Sequence, residues 1–389
     1  MHELIVRIAA RGDGVTSAGR HVPFGVPGDA FMDDGALAPG PHHQDPPCRH
    51  FPECGGCQLQ HADDEAYRDY LVSRIETALA QHELETQFRE PHLSPPCSRR
   101  RATLRALKVG ASAVVGFNAE KSHRIIDMRE CHILRPELFA LVQPLRELLA
   151  LMLKPKRPGE VQLTLTDGGS DVLLKGIEAD GLAASERLTS FAAEHRLARL
   201  SVDRGLGAET IYEPQPATVT LSGSPVAFPV GGFLQATEDG ETALVACVRD
   251  AIADTRSMAD LFAGLGTFAL AVRASYAAEA SRDAAAALKR VAPAMVVEHR
   301  DLYRRPLDAE ELGRFDAVIL DPPRAGAAEQ VRALAESAVR RIAYVSCNPA
   351  TFARDAKTLV AGGYALQWVR PVGQFRWSTH VELAACFSR

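Results

Sequence analysis

A cysteine near the C-terminal end has the surroundings of a reactive thiol. Cys347 lies in the segment Ser-Cys-Asn-Pro (346–349), after the apolar residues 342–345 and ahead of a segment with helical spacing. A thiol at a strand-to-helix turn faces the cleft above a sheet, and the N-terminus of the helix lowers its pKa. A lone cysteine is usually a small buried hydrophobic residue. Because Ser, Asn and Pro flank this one, the pattern favours a nucleophile.

Three acidic residues accompany comparable turns. Asp260 begins Asp-Leu-Phe-Ala-Gly-Leu-Gly (260–266), Asp321 begins Asp-Pro-Pro-Arg (321–324), and Glu382 ends His-Val-Glu (380–382). Two prolines fix a stiff loop at the carboxyl end of a buried strand, where ligands bind in parallel sheets. We expect the last strand to lie beside the strand that leads to Cys347, so that the carboxylate of Glu382 shares its cleft. An edge glutamate without a role is the alternative.

The glycine-rich turn predicts a cofactor site. Gly264 and Gly266 let the backbone approach a ligand closely, and the helix that follows favours a negative group at its N-terminus. The same residues fit the fingerprint of dinucleotide-binding enzymes, so an oxidoreductase is the rival interpretation. The acid four residues ahead of Gly264 favours S-adenosylmethionine, whose amino group requires a carboxylate. An oxidoreductase would also leave Asp-Pro-Pro-Arg and Ser-Cys-Asn-Pro without a purpose.

Further acids are expected to contact a nucleoside. The second strand should end in an acid that binds the ribose hydroxyls, and both Glu279 and Asp283 are candidates. Tyr-Ala-Ala-Glu (276–279) is the better match to a strand followed by an acid, so we prefer Glu279. Asp301 follows the third strand, where a residue that contacts adenine would lie.

Four of the eight cysteines predict a metal site. Cys48, Cys54 and Cys57 crowd into ten residues, and Cys131 is the candidate for a fourth ligand. Four thiolates suit either tetrahedral zinc or an iron–sulfur cluster, and the spacing alone does not choose between them. A disulfide framework is not expected in a cytosolic chain of this size.

The elements that must position these residues change in character along the chain. From residue 235 to 389, apolar strands (258–262, 315–320 and 342–345) alternate with alanine-rich helices, which predicts a doubly wound α/β domain. Residues 46–234 predict an α+β middle domain that bears the cysteines. It contains a helix capped by Asp63 or Asp64, a helix near 136–153 and a strand at 161–165. Residues 1–45 predict a small β module, with strands at 4–8 and 22–26, and a linker.

Composition excludes several classes of protein. The 389 residues are 46% hydrophobic and 24% charged, with a net charge of −5, as in an ordinary globular protein. No apolar run reaches the roughly 18 residues of a membrane helix, and a secretory signal is lacking, so we expect a cytoplasmic protein. The net charge gives no global sign of nucleic acid. Ser98 to Lys108 nevertheless carries five cations and no acid, and charge alone leaves an RNA-binding patch and a solvated strand equally open.

Jointly and in this order, the motifs resemble the bacterial RNA uracil-C5 methyltransferases, which act on ribosomal or transfer RNA. The resemblance covers residues 48–389. It rests on Cys-x5-Cys-Gly-Gly-Cys-Gln-Leu-Gln-His (48–61), Asp-Leu-Phe-Ala-Gly-Leu-Gly (260–266), Asp-Pro-Pro-Arg-Ala-Gly (321–326), Ser-Cys-Asn-Pro-Ala-Thr (346–351) and His-Val-Glu (380–382). It implies a class I methyltransferase sheet (Rossmann-like) at the C-terminus and an OB-like, TRAM-like β module at the N-terminus. That module is cut here to about forty residues from the family's roughly sixty, and Thr267 replaces an asparagine common among relatives.

The resemblance also implies roles for single residues. Cys347 would add to C6 of a uracil as the nucleophile, and Glu382 would remove the C5 proton. Contacts to S-adenosylmethionine would come from Gln235, Asp260, Phe262, Gly264, Glu279 or Asp283, Asp301 and Asp321. Cys48, Cys54, Cys57 and Cys131 would hold a [4Fe–4S] cluster.

The resemblance finally implies the partner. Members with the cluster mostly modify large ribosomal RNA, so the expected substrate is a flipped-out or loop uridine of 23S rRNA, methylated by a monomer. Transfer RNA is the alternative within the family. A metal-stapled RNA-binding protein without activity is the alternative from another class.

Overall fold

The computed structural model describes residues 2–389. Its N-terminal part is a five-stranded sheet in the order β3-β2-β1-β4-β5. The strands are β1 (His2–Ile8), β2 (Gly14–Thr16), β3 (His21–Val22), β4 (Ala30–Met32) and β5 (Leu37–Ala38). The predicted strand at 22–26 was wrong, because β3 ends at Val22 and Phe24 adopts a left-handed φ of 60°. The strand that follows the Arg-Gly-Asp-Gly turn is β2 instead.

The predicted helix after the cysteine loop is confirmed. Helix α1 (Asp64–Ala80) begins after Asp63, whose side chain accepts a hydrogen bond from Ala66 N at 2.8 Å. Its buried face includes Tyr67, Leu71 and Ile75. The short strands β6 (Gln87–Phe88) and β7 (His92–Leu93) follow α1.

The middle of the chain is a six-stranded sheet in the order β13-β12-β11-β10-β8-β9, with helices packed on one face. Its strands are β8 (Arg101–Val109), β9 (Ser112–Gly116), β10 (Gly159–Thr166), β11 (Gly169–Lys175), β12 (Arg199–Asp203) and β13 (Ala208–Tyr212). Its helices are α2 (Pro136–Phe139), α3 (Val142–Met152) and α4 (Leu182–Glu194). The α+β character expected of this region is therefore present.

A hairpin of β14 (Thr218–Leu221) and β15 (Ser224–Ala227) leads into the C-terminal sheet. The strands of that sheet are β16 (Met258–Leu261), β17 (Tyr276–Glu279), β18 (Val296–His299), β19 (Ala317–Leu320), β20 (Arg341–Ser346), β21 (Ala365–Gly373) and β22 (Glu382–Ser388). Its helices are α5 (Glu238–Ala251), α6 (Thr267–Val272), α7 (Arg282–Val291), α8 (Ala309–Leu312), α9 (Ala328–Glu336) and α10 (Pro349–Ala361).

The C-terminal sheet is doubly wound, as predicted. Its order is β18-β17-β16-β19-β20-β22-β21. From β16 the chain adds β17 and β18 toward one edge and then returns to add β19 and β20 toward the other, so the switch point lies between β16 and β19. All strands of this order run parallel except β22, which is antiparallel to both β20 and β21. Every residue of β16 and β19 is buried, because one face packs on α5, α6 and α7 and the other on α1, α9 and α10. No helix among residues 2–389 is long and apolar enough to cross a membrane.

Residues that precede the middle sheet complete the C-terminal one. Strands β6 and β7 pair in parallel with β21, at Val369 and Val372, and extend the sheet at that edge. Helix α1 packs on α10 and β21. The division into 1–45, 46–234 and 235–389 remains a prediction. Residues Asp64–Leu93 depart from it, since they pack with the C-terminal sheet rather than with the middle one.

Tyr67 provides a stability test of this packing. It is fully buried on α1, and its hydroxyl donates to Phe375 O at 3.0 Å and Ser378 O at 3.2 Å. Tyr67→Phe leaves both buried carbonyls without that donor and should lower the free energy of unfolding by about 1–2 kcal/mol. Thermal unfolding should show a reduced midpoint, whereas Tyr212→Phe on β13 should not. Equal midpoints for the two variants would contradict this account.

Candidate active site

Asp260, in β16 just ahead of the glycine turn, has one carboxyl oxygen without a partner. Asp260 is 0% exposed, and its Oδ2 accepts a hydrogen bond from Ala269 N at 2.7 Å, while Oδ1 is buried without a partner. Burial raises the pKa of Asp260 to about 8, and the charge of Glu279 adds to the shift. Gly264 has a φ of +56°, and the space where a Cβ would lie is open. A cationic amine placed beside Asp260 would satisfy the free oxygen and restore the charged carboxylate.

Glu279 closes the other side of the same turn. It is the last residue of β17, and it accepts hydrogen bonds from Gly264 N at 2.8 Å and Ser281 N at 2.6 Å. Asp283 is exposed in the first turn of α7. The geometry thus brings Glu279, and not Asp283, against the glycine turn.

Two rings lie near the acid that follows β18. Asp301 Oδ1 accepts a hydrogen bond from Tyr303 N at 3.0 Å. The ring of Tyr303 is 5.6 Å from that of Phe262, and its hydroxyl donates to Gly326 O at 3.0 Å. Sequence reasoning singled out Phe262 but missed Tyr303, whose only signal was its position two residues after Asp301.

A chain of side-chain contacts connects the remaining predicted residues. Gln235 Nε2 lies 3.4 Å from Asp321 Oδ2, and Gln374 Nε2 donates to Gln235 Oε1 at 2.8 Å and also to Glu382 Oε2. Gln374 and Glu382 are 2% and 4% exposed. Burial raises the pKa of Glu382 to about 7, although the Gln374 hydrogen bond and the charge of Arg101 oppose the shift. Sequence reasoning missed Gln374, because a lone glutamine in an irregular segment carries no pattern.

Cys347 lies at the predicted strand-to-helix turn, but its pKa is raised and not lowered as expected. It directly follows β20, and Asn348 caps α10 behind it. The prediction that the helix lowers its pKa was wrong for the protein alone. Burial, followed by the charges of Glu382 and Asp321, raises the pKa of Cys347 to about 11, and Arg324 offsets only part of this. Both carboxylates are therefore near enough to the thiol for their charges to act on it.

The cations of the basic segment Ser98–Lys108 do not share one environment. Arg100 is buried and donates to Gln235 O at 3.1 Å and to Glu241 at 2.6 Å, so it supports the site from behind. Arg101 lies over the ring of Phe233 at 4.3 Å, and Phe233 is 59% exposed. Burial lowers the pKa of Arg101 to about 10, although Glu382 attracts its charge. Neither open interpretation of this segment describes Arg100, which is structural.

The four predicted cysteine ligands line one small cavity. Cys48, Cys54, Cys57 and Cys131 surround it together with Phe117 and Ile133. Burial raises the pKa of Cys57 to about 12 and that of Cys131 to about 11. Within residues 2–389, no three Cys, His, Asp or Glu side chains stand close enough to hold a single metal ion.

The comparisons with known proteins identify the family. A family model described as tRNA (Uracil-5-)-methyltransferase matches residues 290–389. An uncharacterized RNA methyltransferase of Zymomonas mobilis is 51% identical over 99% of both chains. The 23S rRNA (uracil(1939)-C(5))-methyltransferase of Chromohalobacter salexigens is 33% identical over 91% of this chain and 78% of that protein. The chain belongs to the RNA uracil-5 methyltransferase family.

Fold and cofactor follow for this uracil-5 methyltransferase homologue. The crystal structure of the Pyrococcus abyssi tRNA (uracil-54, C5)-methyltransferase in complex with S-adenosyl-L-homocysteine superposes with a TM-score of 0.75. It covers 100% of this chain and 99% of that one at 21% identity, which shows a shared fold. The predicted class I methyltransferase fold is confirmed. The protein is an S-adenosylmethionine-dependent RNA methyltransferase.

The raised pKa of Glu382 makes the stability of the cofactor-free protein depend on pH. Its ordinary value is 4.5 and its folded value is about 7, so the neutral form is the one that folding favours. The stabilisation is present below about pH 4.5 and is lost as the pH rises through about 7. At pH 8, Glu382→Gln should therefore unfold at a higher temperature than wild type. Its free energy of unfolding should be larger by up to about 3 kcal/mol.

The unfolding temperatures of Glu382→Gln and wild type are compared at pH 4.5 and at pH 8. At pH 4.5 the two proteins should unfold at nearly the same temperature. The exposed Glu329→Gln on α9 should leave both midpoints unchanged. A difference between Glu382→Gln and wild type that is the same at pH 4.5 and pH 8 would refute the assignment of a raised pKa.

Proposed function

We propose that this enzyme forms 5-methyluridine in RNA with Cys347 as the nucleophile and Glu382 as the base. The observation that carries the proposal is the placement of Asp321, Cys347 and Glu382 at the ends of three neighbouring strands of one sheet, where both carboxylates raise the pKa of the thiol. These three groups stand at the carboxyl ends of β19 and β20 and at the start of β22, where doubly wound sheets bind ligands.

The chemistry begins at the pyrimidine ring. The thiol of Cys347 first loses its proton to water, a step that a cationic ligand beside Asp321 and Glu382 would favour. The thiolate then forms a bond to C6, and the electron pair of the C5=C6 bond moves into an enolate that makes C5 nucleophilic. S-adenosylmethionine, when bound, supplies the methyl group that C5 takes up. The carboxylate of Glu382 then removes the C5 proton. The C–H electron pair restores the double bond, the C6–S bond breaks, and the thiolate leaves.

The cofactor contacts are proposed from buried carboxyl groups that no cation among residues 2–389 neutralises. Asp260 offers a buried oxygen without a partner to the amino group, and Asp321 has a pKa well above its ordinary value because of burial and the charges of Glu382 and Asp260. A cationic ligand would relieve both carboxyls. Gly264 and Phe262 line the turn, and Gln235 supports Asp321. Glu279 would bind the ribose, and Asp301 lies on the adenine side.

The substrate we propose is a uridine of 23S rRNA. The relative from Chromohalobacter salexigens, which covers most of this chain, acts on 23S rRNA by its name. The alternative is transfer RNA, the substrate named for the Pyrococcus abyssi enzyme. In either case C6 of a stacked uracil is hidden, so the nucleotide must be flipped out or lie in a loop.

We further propose that the four-cysteine cavity holds a [4Fe–4S] cluster. Four cysteine side chains line one cavity, and four thiolates are the ligand set of a [4Fe–4S] cluster. Trp377, Ile133 and Phe117 pack around Cys57 and Cys131 and shield the cavity from water. The cluster would join Cys48–Cys57 to Cys131 and stabilise that contact, without a part in methyl transfer.

A mechanism-based trap tests the covalent step. An RNA that carries 5-fluorouridine at the target should form a denaturant-stable complex with wild type, because fluorine does not leave as a proton does. Cys347→Ala should bind RNA and cofactor but form no complex and no 5-methyluridine. The exposed Cys97→Ala serves as the matched control and should be trapped like wild type.

The same trap separates the substrates and the rival class of function. Fragments of 23S rRNA and transfer RNA transcripts, both containing 5-fluorouridine, are compared in denaturing gels. If a complex forms with transfer RNA but not with the 23S rRNA fragments, the substrate is transfer RNA. RNA binding without any complex would favour a metal-stapled RNA-binding protein.

The metal is tested by its spectrum. Protein purified without oxygen should be brown, with broad absorbance in the visible blue and about four irons per chain, because thiolate-bound iron–sulfur clusters absorb there. Cys131→Ser should be colourless and should unfold at a lower temperature, whereas Cys97→Ser should keep its colour. A colourless wild type with stoichiometric zinc and full activity would exclude the cluster.

A further inference from the structure

Gln374 makes three hydrogen bonds inside the site although no motif includes it. It follows β21 in the segment that leads to β22, and it is 2% exposed. Its Nε2 donates to Glu382 Oε2 and, at 2.8 Å, to Gln235 Oε1, while its Oε1 accepts from Ala236 N at 2.8 Å. All hydrogens of the amide are therefore in use.

The backbone contact fixes which way the amide points. Since Ala236 N–H can only donate, the oxygen of Gln374 must face it, and the NH2 group must face Glu382 and Gln235. The reversed amide would oppose two donors at Ala236 and two acceptors at Glu382. Gln374 consequently offers Glu382 a donor and never an acceptor.

The segment that carries Gln374 is held from outside the site. Trp377 O accepts hydrogen bonds from Gln58 N at 2.8 Å and Leu59 N at 2.9 Å, and Tyr67 OH bonds Phe375 O. These contacts come from the cysteine loop and α1 and do not involve Glu382. They hold the segment that carries Gln374 in addition to the pairing of β21 with β22.

We propose that Gln374 is a positioning residue that holds Glu382 as an ionised base beside C5 and connects it to the cofactor side through Gln235. The proposal rests on the proposed function, because it assigns Gln374 to the step in which Glu382 removes the C5 proton. Both proton removal and the release of Cys347 then depend on a donor that substrate and cofactor do not supply.

The charges around Glu382 show why a donor is needed there. Burial disfavours the carboxylate form of Glu382, and the charge of Glu382 in turn raises the pKa of Asp321 and of Cys347. Only Arg101, from β8, and Gln374 favour the carboxylate. Loss of the Gln374 donor should raise the pKa of Glu382 above about 7 and leave less of the base ionised at neutral pH.

The test separates methyl transfer from release of the enzyme. Wild type, Gln374→Met and Gln374→Glu are mixed with RNA and S-adenosylmethionine, quenched with denaturant, and scored for methyl in RNA and for RNA bound through Cys347. Methyl transfer should stay near the wild-type rate. Decay of the methylated adduct at pH 7 should slow by about fivefold or more, as a one-unit rise in the pKa of the base requires.

The pH profile is the readout that a merely structural role would not move. The pH of half-maximal adduct decay should rise by about one unit in Gln374→Met. It should rise further in Gln374→Glu, where a second carboxylate faces Glu382 while an oxygen still accepts from Ala236 N. The control is Gln367→Glu, an exposed residue of β21, which should leave rate and profile unchanged.

The outcomes are distinguishable. If both Gln374 variants keep the wild-type decay and pH midpoint while Glu382→Gln accumulates adduct, this proposal is overturned and the base assignment stands. If methyl transfer and decay fall together by one factor, the residue is only structural and the proposal also fails. If Glu382→Gln turns over normally, the proposed function fails with it.

Discussion

The repulsion among three carboxyl groups in one cleft is the constraint on which the site depends. Asp260, Asp321 and Glu382 converge at the carboxyl edge of the C-terminal sheet, and burial raises the pKa of each. The folded protein tolerates this arrangement because surrounding donors oppose it: Ala269 N for Asp260, Gln235 for Asp321 and Gln374 for Glu382. A positively charged cofactor would complete the neutralisation. Such a ligand would favour the charged form of all three carboxyl groups.

Motifs with a local physical cause were predictable from the sequence. The N-cap at Asp63, the buried parallel strands and the strand-to-helix turn at Cys347 each follow from short-range rules of capping, burial and turn chemistry. The pairing of β22 with β20 was also predicted, because an apolar strand at the end of a doubly wound sheet has one place to insert.

Features that depend on distant contacts were not predictable. The pKa of Cys347 was expected to follow the helix behind it, but burial and two carboxylates from other strands outweigh that local effect. Gln374 and Tyr303 come next to site residues only through contacts between segments that are distant in the sequence. Likewise, nothing in the composition of residues 64–93 indicates that β6 and β7 pair with a strand that begins at Ala365.

That last pairing has a consequence for how the chain is made. The hydroxyl of Thr86 donates to Leu366 O across 280 residues of sequence, so the segment of α1, β6 and β7 leaves the ribosome long before its partner strand exists. At roughly 5–20 residues per second, the delay is on the order of 14–56 seconds. During that time β21, on which the apolar face of α1 packs, has not yet been made. A chain that stops before Ala365 lacks β21 and β22, so the apolar face of α1 would have no sheet to pack on and would be open to proteases.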